Sequence, residues 1–133
     1  DTVDLFQMCM DYLAFEQEPE ESVFFNFLQM PVEKLRNAGK SFFFPEKDER
    51  IYFLCDQSLL GSLKEGYAMT EKAIYWKAPF EKPRKVLYSN LHNVVREKDW
   101  IRINDLFFNA TLTLNVRMMK LLKKIHDLIL SAS

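Results

Sequence analysis

Arg50-Ile-Tyr-Phe-Leu-Cys-Asp-Gln-Ser-Leu-Leu-Gly-Ser-Leu-Lys-Glu-Gly-Tyr-Ala-Met-Thr-Glu-Lys-Ala-Ile-Tyr-Trp-Lys77 contains three β-rich runs, at 51–56, 66–70 and 73–77. Turn chemistry separates them: Gly61 and Gly66 stand in the first gap and Glu71-Lys72 in the second. The pattern continues downstream with runs at 85–89, 93–97, 100–103 and 106–112. Pro79 and Pro83 mark one of the later gaps, and Asn104-Asp105 another. Seven short, regularly spaced strands predict an antiparallel meander folded into a sandwich or partly open barrel.

On either side of this stretch the period changes. Leu114, Met118, Leu121, Leu122, Ile125, Leu128 and Ile129 form one helical stripe, with Arg117, Lys120, Lys123, Lys124 and Asp127 opposite. A helix with so broad an apolar stripe must cover an apolar surface, which the spacing predicts to be an end of the barrel. Upstream, Leu5, Phe6, Cys9, Tyr12 and Leu13 share the face of a first helix, stopped by the acidic run that includes Pro19. Ser22 is expected to cap a second helix through 23–30. Pro31 is expected in the first turn of a third, with Val32, Leu35 and Ala38 on one face and Gly39 as its stop. Phe42-Phe43-Phe44-Pro45 then leads out as an extended segment. The expected domains are a helical N-terminal region, 1–45, and a barrel domain, 46–133.

Seven strands and a closing amphipathic helix follow the element order of pleckstrin-homology-like folds, and the opening stretch resembles the bacterial PH-like and GRAM-like domains. An aspartate ending the first strand, a glycine before the second and a Thr-x-Lys-x-Ile-Tyr hairpin correspond to Asp56, Gly66, Thr70, Lys72, Ile74 and Tyr75. Val86-Leu87-Tyr88-Ser89-Asn90-Leu91 resembles the family's fourth strand and turn. The resemblance covers about residues 50–130 and implies an α+β protein: a PH-like seven-stranded antiparallel barrel capped by its C-terminal helix and preceded by helices. Phosphoinositide-binding members carry basic residues along the first two strands; here those are only Arg50, Lys64 and Lys72.

Composition narrows the chemistry. Three glycines, none in a GxGxxG or GxxxxGK[ST] frame, leave no phosphate-cradling loop. Two cysteines and two histidines do not complete a zinc site of the usual spacing. Cys9 and Cys55 sit among large apolar neighbours and are expected as buried, reduced thiols. GxSxG, HExxH and CxxC are absent, and His92 and His126 read as solvated or edge residues. The expectation is a protein that is not an enzyme and takes no cofactor and no metal. With no apolar run of about 20 residues and no basic-then-apolar leader, the expected location is cytoplasmic.

Charge is divided sharply, with −7 over residues 1–49 and +6 over residues 50–133. In a meander, alternate turns emerge at one end, so Lys64, Lys82, Arg84, Lys85, Arg96 and Lys98 are expected as a basic rim. That rim is the candidate site for an anionic ligand or partner, unless the acidic segment at 16–21 neutralises it. A protein or peptide partner ranks first, and an anionic membrane surface bound peripherally ranks second. Nucleic acid is not expected, because the net charge of −1 gives no strong electrostatic drive.

Overall fold

The period-two runs downstream of Arg50 pair as alternation requires, but they do not close. The computed structural model describes residues 3–132. Among them lie the helices α1 (Leu5–Leu13), α2 (Val32–Ser41) and α3 (Leu112–Ala132). A five-stranded sheet has the order β1 (Ser22–Phe24), β2 (Ile51–Asp56), β3 (Gly66–Thr70), β4 (Ala73–Lys77), β5 (Arg84–Leu87). A three-stranded sheet contains β6 (Val94–Arg96), β7 (Ile101–Ile103) and β8 (Leu106–Phe108). The protein is therefore α+β with two antiparallel sheets, and no closed barrel forms. A 3₁₀ turn at Tyr88–Asn90, closed by Leu91 N–H on the Tyr88 carbonyl, ends the expected fourth run early and interrupts the meander.

The chain forms two compact units: residues up to Phe15 together with Val86 onward, and Glu16–Lys85. The expected N-terminal region is thus shared out, α1 belonging to the first unit and α2 to the second; its residues before Val3 lie outside the described residues.

In the first unit Asp4 caps α1 by accepting the Gln7 N–H at 3.0 Å. Ala14 ends the helix in the left-handed conformation, and its N–H returns to the Met10 carbonyl. Helix α1 packs on α3, and α3 packs on β6, β7 and the 3₁₀ turn, not on a barrel mouth. Leu114, Met118, Leu121, Leu122 and Ile125 of the apolar stripe are buried, as their spacing predicts. Asn115 is buried beside that stripe because it has work for every polar atom. Its carbonyl accepts the Ala110 N–H at 2.7 Å, and its amide donates to the Asp99 carbonyl and the Asn109 side chain.

In the second unit β3 is buried along its whole length and β2 and β4 nearly so, because Met30, Ala38, Phe42, Phe43 and Leu63 are also core residues. The expected helix over 23–30 is not formed. Val23 and Phe24 pair instead with Cys55 and Leu54 as β1, and the Asn26 side chain accepts the Leu28 N–H, bending the backbone into a turn. Long-range pairing and a local turn together outweigh a weak helical pattern. Gly39 does not stop α2, which continues to Ser41, and Val32 is exposed instead of sharing the buried face of Ala38. Both cysteines are free and buried, and burial pushes each thiol up to about 12, so neither presents a thiolate.

Glu49 is a buried carboxylate of this unit. Its Oε2 accepts the hydroxyls of Thr70 and Tyr75, the latter at 2.8 Å, and its Oε1 accepts the Glu46 N–H at 2.9 Å. Burial alone raises its pKa. The hydrogen bonds from Thr70, Glu46 and Tyr75, with the charge of Lys85, outweigh burial and leave the carboxyl below its ordinary range. Tyr75 is fixed in turn by an edge-on contact with Phe43, ring centres 5.1 Å apart.

Two outcomes follow from these cores. Leu121 is fully buried in the middle of the α3 stripe, so Leu121→Ala should cost about 2–5 kcal/mol in a denaturant titration. Glu49 titrates lower folded than unfolded, so its contribution is complete above about pH 4.3 and is lost as pH falls through its folded pKa. Urea midpoints taken down this acid range should therefore decline, and Glu49→Gln should flatten the decline while lowering the midpoint at pH 7.

Candidate functional site

The register of the five-stranded sheet brings Ser22, Asp56, Gly66 and Lys77 into one row across β1 to β4. The β2–β3 loop and the β4–β5 loop therefore leave the sheet at the same end, which is also where the acidic segment enters β1. Neighbouring strands lie about 5 Å apart, so the loop roots are close.

Asp56 builds the first loop. Its side chain is only 2% exposed. Oδ1 accepts the Ser58 N–H at 2.9 Å, the Ser58 hydroxyl at 2.5 Å and the Leu63 N–H at 3.2 Å. Oδ2 meets Lys34 Nζ at 3.4 Å, and the same ammonium stands 4.9 Å over the Phe24 ring. Helix α2 braces the far side: the Asn37 amide donates to the Ser62 carbonyl and the Ser41 hydroxyl to the Lys64 carbonyl. Leu63 anchors the loop in the core. Leu59 and Leu60 are held out, 96% and 92% exposed.

Gly66 closes the root at φ +155°, and a Cβ there would stand 2.1 Å from the Cys55 carbonyl oxygen. No other residue type fits that approach.

The second loop, Ala78–Pro83, carries its tip residue in a strained state. Phe80 has φ 63° and is wholly exposed. A bulky side chain in the left-handed region is uncommon and costs energy, and here no burial offsets it. Large apolar tips thus stand on two adjacent loops, with Lys64, Lys82 and Arg84 beside them.

The six residues of the expected basic rim are distributed over both units. Lys64, Lys82, Arg84 and Lys85 belong to the Glu16–Lys85 unit. Lys85 turns from the loop end, its ammonium lying 5.2 Å over the Tyr75 ring near Glu49. Arg96 and Lys98 belong to the other unit, on β6 and in the β6–β7 turn. The break after β5 removes that turn from the five-stranded sheet. Among the described residues none of the six is held in a salt bridge. The acidic segment reaches the same end on the β1 side; burial raises the Glu21 pKa, and repulsion from Glu18 and Glu20 adds to the rise.

Leu59, Leu60 and Phe80 carry no charge and so fall outside the expected basic rim. Their signal was composition: Leu-Leu between Ser58 and Gly61, and Phe between two prolines, are large apolar groups inside turn segments. Among the described residues no three His, Cys, Asp or Glu side chains gather as a metal site, and no helix is long and apolar enough to cross a membrane.

The two glycines of opposite environment calibrate the loop root. Gly66→Ala should lower the melting temperature sharply, because a backbone atom blocks its Cβ. Gly39→Ala, inside α2 with nothing within 4 Å of the added Cβ, should raise stability by about 0.4–1 kcal/mol. No protein-family model, curated protein or solved structure matches this chain.

Proposed function

We propose that this protein is a non-enzymatic, PH-like binding module that docks peripherally on anionic membrane surfaces through the loop end of its five-stranded sheet. The observation that carries the reading is the exposure of Leu59, Leu60 and Phe80 on two neighbouring loops, with Lys64, Lys82 and Arg84 alongside. The PH-like part rests on the order of β2 to β8 followed by α3.

Magnitudes rank the two contributions. A Leu or Phe side chain moved from water to an apolar medium gains about 1.5–3 kcal/mol, so three tips outweigh the basic residues. Each Lys or Arg near an anionic leaflet adds about 1 kcal/mol, and Glu65, Glu81 and the acidic segment offset part of that. Insertion should lead and charge should assist. Protruding tips on separate loops favour a bilayer over a protein partner, because lipid accommodates a projection without a complementary pocket.

Vesicle co-sedimentation tests this. The chain should bind phosphatidylcholine vesicles containing phosphatidylserine, with a mild salt dependence. Leu59→Ser, Leu60→Ser and Phe80→Ser together should abolish binding while leaving the melting temperature unchanged. Lys82→Ala with Arg84→Ala should weaken it about thirtyfold. Absence of vesicle binding by the intact chain would overturn the membrane reading and return a protein partner to first place.

A further inference from the structure

Both histidines of the chain line one groove of about 320 Å³ in the unit that contains α3. One wall is Leu91, His92, Asn93 and Val94, the segment entering β6; the other is Lys123, His126 and Asp127 of α3. We propose that this groove binds a small amphoteric molecule carrying both an ammonium and a carboxylate, of the size and chemistry of a free amino acid.

The volume lies at the lower end of the range of small-ligand sites. Its lining combines two apolar residues with polar and charged ones of both signs. Leu91 and Val94 are buried and supply an apolar floor. Lys123 and Asp127 stand one turn apart on the same helix, a spacing at which opposite charges commonly pair. Here neither is in a salt bridge among the described residues, and the lysine-first order is the poorer one for such a pair. Both charges remain available to a ligand, the ammonium of Lys123 to its carboxylate and the carboxylate of Asp127 to its amine. The imidazoles of His92 and His126 can donate or accept beside them.

The wall facing α3 is held in place before any ligand arrives. Asn104 sits at φ 49° and Asp105 at φ 67°, the paired positive values of a tight hairpin turn between β7 and β8. The Asn104 side-chain oxygen accepts the N–H groups of His92 at 2.9 Å and Asn93 at 3.2 Å, and its amide donates to the Asn90 carbonyl at 2.9 Å. Its own N–H donates to the Asn93 carbonyl at 2.9 Å. Four hydrogen bonds from one residue thus fix the backbone on which His92 and Asn93 are mounted. Simple anions fit less well, since Asp127 opposes them. A metal ion fits less well too, since no three-ligand cluster forms among the described residues.

The test is a titration followed through the His92 and His126 ring C–H signals by NMR. The probes are L-alanine and L-leucine, with acetate, methylammonium and inorganic phosphate as partial mimics. An amino acid should shift both imidazoles saturably, with acetate and methylammonium at least about tenfold weaker. Lys123→Gln and Asp127→Asn should each weaken amino-acid binding about tenfold with unchanged melting temperature. Equal binding of acetate or phosphate, indifference to Asp127→Asn, or no saturable shift with either amino acid would overturn the proposal. The titration is independent of vesicle binding, so each proposal can fail alone.

Discussion

The buried carboxylate of Asp56 is the constraint on which the loop end of the five-stranded sheet depends. An ionised group taken out of water costs several kcal/mol unless hydrogen bonds and an opposite charge replace the lost hydration. Asp56 receives both: Ser58 and Leu63 donate to one oxygen and Lys34 approaches the other. The consequence is geometric. Satisfying the carboxylate coils residues 57–63 around it, draws Leu63 into the core and ties α2 to the loop. Leu59 and Leu60 have no place left inside that coil. Their exposure follows from how the loop is held, not from a lack of order.

Strand β2 is bracketed by two such groups, since Glu49 just precedes it and Asp56 ends it. Glu49 gathers Thr70 and Tyr75 from the facing hairpin, and the Thr70 hydroxyl also accepts the N–H groups of Lys72 and Ala73 at 3.1 Å. The turn between β3 and β4 is therefore specified by a side chain that is itself specified by a carboxylate. Polar chemistry of this kind fixes register where apolar packing alone would tolerate a slip. The other unit uses neutral amides to the same end: Asn104 fixes the segment before β6, and Asn115 ties the start of α3 to the strands before it.

Both proposed sites carry departures from local rules. Phe80 occupies a backbone region that suits glycine, and among the described residues Lys123 and Asp127 do not form the ion pair that their spacing allows. Proteins keep such departures where the surrounding structure over-determines them. Phe80 stands at an exposed loop tip, and Lys123 and Asp127 line the groove.

Much of the fold was legible in the sequence. The period of two located β2, β3 and β4 to the residue, because each lies in a hairpin bounded by turn chemistry that acts locally. The stripe from Leu114 to Ile125 identified the buried face of α3, because a 3.6-residue period records burial directly. Helix α1 was legible for the same reason. What the sequence did not disclose was β1, which exists only because Val23 and Phe24 find Cys55 and Leu54 thirty residues away. Nor did it disclose the break after β5, which puts Arg96 and Lys98 in the unit of the three-stranded sheet. That the loops bearing Leu59, Leu60 and Phe80 leave the sheet at one end, and that His92 and His126 line one groove, was equally hidden. A local period reports how deeply each side chain is buried. Which loops share an end, and which side chains meet across a groove, is set by pairing and packing between segments distant along the chain, and only the tertiary structure decides that.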